Sequence, residues 1–297
     1  MTALNGVLTA LLTPFTQDGD IDTAALRQVV DHTVDGGVDG VVACGSTAEF
    51  SGMTGSERRL VVETVIEQAA GRVPVIAQTG ALSAREAIEH SRHAEQAGAS
   101  AVMVVAPFYE ALTLDETLRY LRKVAGAVEL PVMLYNLPPA TGLNLEPDTV
   151  GALAREVANI RYIKDTSADM AQAARLIHHY GAVISTFVGW DSLMFSALAE
   201  GAAGVMSGVS NAIPAEMVAV HRALVSGDLE GARAEWARIY PLVDAIMSVP
   251  FVQGVKAAAS ALGLNVGDPR EPMSALDPAA ADRIRELAGA IGVPTPR

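Results

Sequence analysis

The sequence predicts an α/β protein, a (β/α)8 TIM barrel with a C-terminal helical extension. Eight short apolar runs alternate with eight longer helical patterns over about 220 of the 297 residues. The apolar runs are continuous, as in parallel strands that are buried on both faces. Only helical patterns follow the eighth pair, so we expect the barrel in residues 1–226 and the extension in residues 227–297. A doubly wound sheet is the alternative architecture.

Each predicted strand is followed by a helix with its own start signal. Ser83 and Thr113 each precede a helix and have a glutamate three residues later, which predicts capping boxes. Gly36 and Gly37 mark the end of the first helix. The predicted strands span residues 7–15, 38–45, 73–80, 99–107, 130–137, 160–166, 182–189 and 204–208. The predicted helices span residues 22–36, 54–70, 83–97, 113–127, 146–156, 168–180, 192–200 and 214–226, with 229–249, 251–262 and 278–291 in the extension.

Composition and charge restrict the classes of partner. The net charge is −13, whereas a nucleic-acid-binding protein would carry a basic face, so we expect no nucleic-acid partner. Cys44 is the only cysteine, which excludes an intramolecular disulfide and fits a reducing cytosol. Residues 1–5 lack the basic and apolar segments of a signal peptide, and no apolar run reaches the ~20 residues of a membrane span. We therefore expect a cytoplasmic protein without membrane contact.

One lysine lies at the carboxyl end of a predicted strand. Lys164 closes the sixth apolar run, and the active sites of parallel barrels form at this end of the strands. Partial burial of an amine favours its neutral form, which can attack a ketone and form an imine. The alternative is a lysine that simply pairs with a carboxylate at the barrel rim.

Other strand ends supply further candidate residues. Tyr135 ends the fifth strand, next to the sixth, and its hydroxyl could reach a substrate attached to Lys164. Ser46 and Thr47 follow the second strand, where hydroxyls and backbone N–H groups can bind a carboxylate. Each of these residues could also be an ordinary rim or turn residue. The remaining candidates at strand ends are Tyr109, Gly189 and Met206.

Several residues with reactive side chains are set aside. Asp165 follows Lys164 and therefore points to the opposite side of the strand, towards a helix. Cys44 lies within a predicted strand and is interpreted as a buried, inert thiol. The histidines fall within predicted helices and lack metal-ligand spacing, so we expect neither a metal nor another cofactor.

The combination of motifs resembles the dihydrodipicolinate synthase and N-acetylneuraminate lyase family of class I, Schiff-base-forming pyruvate aldolases. The resemblance extends over nearly the whole chain. The motifs are Gly45-Ser46-Thr47-Ala48-Glu49, Pro107-Phe108-Tyr109, Tyr135-Asn136-Leu137-Pro138, Ile163-Lys164-Asp165, Gly204-Val205-Met206-Ser207 and Arg270-Glu271-Pro272-Met273.

The resemblance implies a role for each matching residue. Lys164 would be the Schiff-base lysine, and Tyr135 the acid and base that moves protons at the bound substrate. Thr47 would belong to the same proton relay, to which a neighbouring subunit of a homotetramer would lend Tyr109. Pyruvate would be the common ligand. The substrate-binding positions would be Ser46, Thr47, Met206, Gly189 and Ala140.

Departures from the family pattern bear on the second substrate. Synthase members carry an arginine that pairs with a substrate carboxylate, and Ala140 falls at that position here. Ala48 replaces the usual glycine of the family. Phe50 and Trp190 could line an apolar pocket for the aldehyde, so an aromatic aldehyde is also possible as the second substrate. The leading hypothesis is reversible cleavage of a 2-keto-3-deoxy acid to pyruvate and an aldehyde. The alternatives are 4-hydroxy-tetrahydrodipicolinate synthase, which uses aspartate semialdehyde, a dehydratase or hydratase of the same family, and a catalytically silent barrel that binds a 2-oxo acid.

Overall fold

Eight strands form a closed barrel in the order in which they occur in the chain. The computed structural model describes residues 3–291, so residues 1–2 and 292–297 of the predicted barrel and extension lie outside the described part. The predicted fold class is confirmed, and the doubly wound sheet is wrong. The strands are β1 (Gly6–Ala10), β2 (Gly40–Ala43), β3 (Val75–Gln78), β4 (Ala101–Val105), β5 (Val132–Asn136), β6 (Ile160–Asp165), β7 (Ser185–Val188) and β8 (Gly204–Ser207).

Helices connect the strands and form the C-terminal extension. Short 3₁₀ turns, Phe50–Gly52, Asp191–Leu193 and Val209–Asn211, follow β2, β7 and β8. The helices between strands are α1 (Thr23–Asp35), α2 (Gly55–Ala69), α3 (Ala84–Ala97), α4 (Leu114–Ala125), α5 (Pro138–Thr141), α6 (Pro147–Glu156), α7 (Met170–Tyr180) and α8 (Met194–Glu200). After β8 come α9 (Pro214–Val225), α10 (Leu229–Met247), α11 (Phe251–Ala261) and α12 (Pro278–Ile291).

The helix caps follow the sequence signals with one exception. Thr113 and Glu116 form the predicted capping box, in which each side chain accepts from the other residue's backbone N–H. Ser83 accepts from the backbone N–H of Glu86, but the Glu86 carboxylate lies 3.5 Å from Nε2 of His90 instead of returning to Ser83. The predicted box at Ser83 is therefore only half formed.

The strands are shorter than the apolar runs that predicted them, and the sequence did not predict α5. The first strand ends at Ala10 and not at residue 15, because a loop that includes Pro14 follows it. The connection after β5 contains α5, since Pro138 and Pro139 occupy its first positions, where a missing N–H costs nothing. Cys44 lies just after β2 and not within it, with a left-handed φ of 58°.

The described residues divide into two compact units. One unit contains residues 3–5 and Pro74–Met206, with β3 to β7 and the helices between them. Its core includes the fully buried side chains of Met103, Met133 and Phe187. The hydroxyl of Tyr162 accepts a hydrogen bond from the backbone N–H of Leu4, which ties the N-terminal residues to this unit.

The other unit contains Gly6–Val73 and residues 207–291. Asn211 holds β1 in place, because its Nδ2 donates to the carbonyl of Ala10 and its Oδ1 accepts from the N–H of Leu12. In residues 3–291, no helix has the length and apolar character that crossing a membrane requires. The predicted division between residues 226 and 227 stays a prediction.

Candidate active site

Lys164 and Tyr135 face each other at the carboxyl ends of neighbouring strands. They are register partners in the parallel pair of β5 and β6. Both are buried, with exposed fractions of 5% for Lys164 and 3% for Tyr135. The Lys164 Nζ lies 4.3 Å from the centroid of the Tyr135 ring. The ring face therefore contacts the amine, an arrangement that attracts a cation and keeps the amine in a defined place.

Gly189 packs against the aliphatic stem of Lys164 and against the side chain of Thr166. A Cβ on Gly189 would lie 2.4 Å from Cε of Lys164 and 2.3 Å from Oγ1 of Thr166. Only glycine at this position leaves room for the lysine. The Thr166 Oγ1 is buried and finds no hydrogen-bond partner within residues 3–291. A buried hydroxyl without a partner is suited to bind a polar group of a ligand.

Asp165 points away from Lys164, as the alternation of a strand requires. Its carboxylate accepts hydrogen bonds from the side chains of Asn136, Ser167 and Gln172. Gln172 lies on α7, so the predicted direction towards a helix is confirmed. Burial raises the pKa of Asp165, and the hydrogen bonds partly oppose that effect.

Ser46 and Thr47 lie in the other compact unit, in the turn after β2. The turn is closed by hydrogen bonds from the N–H of Ala48 to Gly45 O and from the N–H of Glu49 to Ser46 O. Thr47 is buried. A Cβ on Gly208, just after β8, would lie 3.4 Å from Oγ1 of Thr47. The turn and Gly208 are therefore adjacent.

A buried ion pair anchors the end of this turn to the C-terminal extension. The Lys256 Nζ on α11 lies 2.8 Å from Oε1 of Glu49, and both side chains are almost fully buried. The Glu49 Oε2 accepts from the backbone N–H of Arg270. Burial lowers the pKa of Lys256, and the neighbouring Glu49 opposes that shift. Glu49 itself has a left-handed φ of 62°, a strained conformation that these contacts hold.

The remaining candidate residues differ widely in exposure. Tyr109 lies beyond β4 and is 82% exposed. Ala140 lies on α5 and is exposed, whereas Met206 is buried within β8. Cys44 is completely buried, which raises the pKa of its thiol to about 12 and supports the interpretation as an inert side chain.

The residues around Lys164 were predicted from the sequence, but several residues that contact and position them were not. Within one unit, the structure brings Lys164, Tyr135 and Gly189 together. Thr166 was missed, although a hydroxyl two residues after the lysine on the same face of the strand was a readable signal. The partnership of Glu49 with Lys256 was also missed, because more than 200 residues separate them and no local pattern links them. The catalytic and binding roles assigned to the candidate residues stay predictions.

A barrel with a buried amine against a phenol at its strand ends has the arrangement of a Schiff-base-forming lyase. The model of the dihydrodipicolinate synthetase family matches residues 3–291, and the chain belongs to this family. It is therefore an enzyme of the class I, lysine-imine lyases that use pyruvate, and the predicted enzyme class is confirmed.

Individual relatives match over almost their full length. The chain is 39% identical over 291 residues to a 4-hydroxy-tetrahydrodipicolinate synthase of Acidobacterium capsulatum, which covers 98% of this chain and 96% of the relative. It is also 39% identical to such a synthase of Thermomicrobium roseum, over 95% of this chain and 92% of the relative.

Solved structures agree with the fold throughout. A putative dihydrodipicolinate synthetase from Pseudomonas aeruginosa has a TM-score of 0.94 at 32% identity, over 97% of this chain and 100% of that chain. YagE, a prophage protein of the same family from E. coli K12 solved in complex with pyruvate, has a TM-score of 0.93 at 33% identity, over 98% and 99% of the two chains.

Proposed function

We propose that this enzyme joins pyruvate to an aldehyde through an imine on Lys164. The amine attacks C2 of pyruvate, and loss of water from the carbinolamine leaves a protonated imine. The imine withdraws electrons, so a proton leaves the methyl carbon and an enamine forms. The enamine carbon attacks the aldehyde carbon, and the resulting alkoxide takes up a proton. Hydrolysis of the imine, or attack on it by an amine of the product, frees Lys164.

The contact between Lys164 and Tyr135 is the observation that supports this chemistry most directly. Both side chains are buried at strand ends, and Nζ lies 4.3 Å from the ring centroid. A phenol beside the amine can deliver and remove the protons that carbinolamine formation and dehydration require. We assign this role to the Tyr135 hydroxyl.

The roles of the remaining site residues are inferred from membership of the family. Ser46 and Thr47 have hydroxyls and backbone N–H groups in a tight turn, which suits binding of the pyruvate carboxylate. Met206 and Gly189 would complete the substrate-binding positions. Tyr109 would serve a neighbouring subunit of a homotetramer, a role supported by its exposure of 82% in the single chain. Sedimentation that gave a monomer active at full rate would contradict this role. We also propose a cytoplasmic location.

For the second substrate we propose aspartate semialdehyde. The relatives named above are 4-hydroxy-tetrahydrodipicolinate synthases, and they match this chain from end to end. This similarity supports the synthase more strongly than the cleavage of a 2-keto-3-deoxy acid that the sequence motifs favoured. A silent 2-oxo-acid-binding barrel has no comparable support.

Cleavage of a 2-keto-3-deoxy acid remains the second candidate because of Ala140. By the resemblance of its motifs to the family, this exposed residue on α5 falls where synthases carry an arginine, and a methyl group cannot pair with a carboxylate. A dehydratase or hydratase would use the same imine and lacks an observation that favours it.

Two assays on the same enzyme separate the candidates. We expect turnover of pyruvate with aspartate semialdehyde at a kcat/KM of roughly 10⁴–10⁸ M⁻¹s⁻¹. Release of pyruvate from 2-keto-3-deoxy acids, without turnover of aspartate semialdehyde, would overturn the synthase proposal. Ala140→Arg supplies the missing guanidinium, and Ala140→Leu is the matched control. For a synthase, the arginine variant should lower the KM for aspartate semialdehyde roughly tenfold or more, and the leucine variant should not.

A further inference from the structure

A hydrogen-bonded cluster of three amides around the carboxylate of Asp165 lies next to the two reactive residues along their strands. Asp165, next to Lys164, accepts hydrogen bonds from Asn136 at 2.9 Å and from Gln172 at 3.1 Å. Asn136 is the residue next to Tyr135, and it pairs with Asp165 in the strand register. The cluster therefore joins the residues that immediately follow Tyr135 and Lys164 along their strands.

Asn144 completes the cluster from the connection after α5. Its Oδ1 accepts from Asn136 at 2.8 Å and from Gln172 at 3.2 Å. Its Nδ2 donates to Oε1 of Gln172 at 2.7 Å, so the two amides bond reciprocally. Asn136, Asp165 and Gln172 are buried, which makes each of these bonds costly to lose.

The pairing of β5 with β6 changes register once before it reaches Lys164 and is regular from Met133 onwards. The ladder between β5 and β6 is irregular at its beginning, where Val132 pairs with Ile160 but Met133 pairs with Tyr162. Arg161 is thus an extra residue, as in a β-bulge. A slip of one residue would turn Lys164 to the outer face of the strand and Asp165 to the inner face. The amide cluster opposes such a slip, because its bonds require Asp165 on the outer side.

We propose that Asn144 and Gln172 are positioning residues, which act through Asp165 and Asn136 to keep Lys164 against Tyr135. The inference rests on the proposed imine chemistry at Lys164. Asn144 and Gln172 bond to Asn136 and Asp165 and to each other, so their effect on the rate of imine formation is exerted through those two residues.

The experiment compares Asn144→Ala with Asn159→Ala in the full-length enzyme. Asn159 precedes β6 at its opposite end, and its Nδ2 donates to three backbone carbonyls, those of Ala125, Val128 and Leu130. Both variants lose partly buried hydrogen bonds in the same unit, so both should lower Tm. The measured quantity is the rate at which pyruvate and borohydride label the folded protein. We expect Asn144→Ala to slow labelling roughly tenfold or more and Asn159→Ala to change it less than twofold.

Gln172→Glu provides a second, isosteric test. Its protonated carboxyl can still donate to Asp165, whereas its ionised form places two carboxylates together. The labelling rate of Gln172→Glu, divided by the wild-type rate at the same pH, should therefore fall as pH rises. Division by the wild-type rate removes the effect of the charged groups that both proteins share in this region and along α7. These groups include Lys164, Glu146, Asp169, the pair of Arg175 with Asp148 and the pair of His178 with Glu200.

The outcomes distinguish this inference from the proposed function. Equal slowing by Asn144→Ala and Asn159→Ala would overturn the positioning role and leave the imine intact. If Asn144→Ala does not fold, Gln172→Glu decides, and a relative rate that is independent of pH would overturn the inference. A wild-type protein that forms no adduct would overturn the proposed function, and this inference with it.

Discussion

Tyr135 and Lys164 are register partners, and the lysine Nζ lies 4.3 Å from the centre of the tyrosine ring. Two functions of the tyrosine are therefore separable. The ring contacts the amine, while the hydroxyl is the group that can transfer protons.

Tyr135→Phe removes the hydroxyl and keeps the ring. We expect turnover to fall by about 10²–10⁴-fold, the usual contribution of general acid–base catalysis, while pyruvate still binds and forms an adduct more slowly. Steady-state kinetics and a direct pyruvate titration on the same preparation measure the two effects. Equal losses of turnover and of pyruvate affinity would contradict the proton-transfer role.

Gly189→Ala tests whether the aliphatic stem of Lys164 requires the space that the absent side chain of Gly189 leaves. The added Cβ would lie 2.4 Å from Cε of Lys164, so the lysine must move. We expect imine formation to slow about 10²-fold, because a displacement near 1 Å is enough for such a loss. Gly289→Ala on α12 is the control, since a Cβ there meets no atom within 4 Å. Comparable rates in the two variants would show that the lysine tolerates the shift.

Lys256→Met tests the buried ion pair with Glu49. The substitution leaves the Glu49 carboxylate buried without its cation, which should cost about 3–5 kcal/mol of the free energy of unfolding. Urea denaturation measures this loss, with exposed Lys123→Met as a control that should change it by less than about 0.5 kcal/mol. Adding Glu49→Gln removes the buried charge and should recover part of the loss. A single variant as stable as the wild type would contradict the anchoring role.

Glu57 links acid stability to the contact between α2 and Arg270. The hydrogen bond from Arg270 is the largest cause that lowers the pKa of Glu57, to about 2. Because the pKa of Glu57 is lower in the folded state than its unfolded value of 4.5, ionised Glu57 stabilises the folded state at pH values above 4.5. This contribution is lost as pH falls towards 2. The contribution is about 1–3 kcal/mol, allowing for partial exposure to solvent.

Glu57→Gln should therefore destabilise the protein at pH 6 and less at pH 3. Urea denaturation at the two pH values measures the difference, with exposed Glu110→Gln as the control. A Glu57→Gln effect of the same size at both pH values would contradict the assignment.

The sequence predicted the eight strand–helix units because each has its own local signal. Thr113 with Glu116 is an example, since a cap and a glutamate three residues later lie within one helical turn. The predicted positions of the strand ends were less accurate. An apolar run does not reveal where backbone pairing stops, so Phe15 and Pro107 were assigned to strands that end at Ala10 and Val105.

Lys164 and Tyr135 were predictable as candidates because each closes an apolar run. Their contact depends on the register of β5 and β6, which passes through an irregularity that no local pattern reveals. The supports of the site, such as Lys256 for Glu49 and Asn144 for Asn136, come from distant or irregular segments. Tertiary packing, and not local sequence, determines these partners.

We propose above that Lys164 forms an imine with pyruvate. Intact mass, measured after incubation with pyruvate and borohydride, tests it directly, with Lys164→Ala treated in parallel. We expect one reduced pyruvate adduct per wild-type chain and none on the variant. An unmodified wild-type protein, or an adduct that persists in Lys164→Ala, would contradict the account.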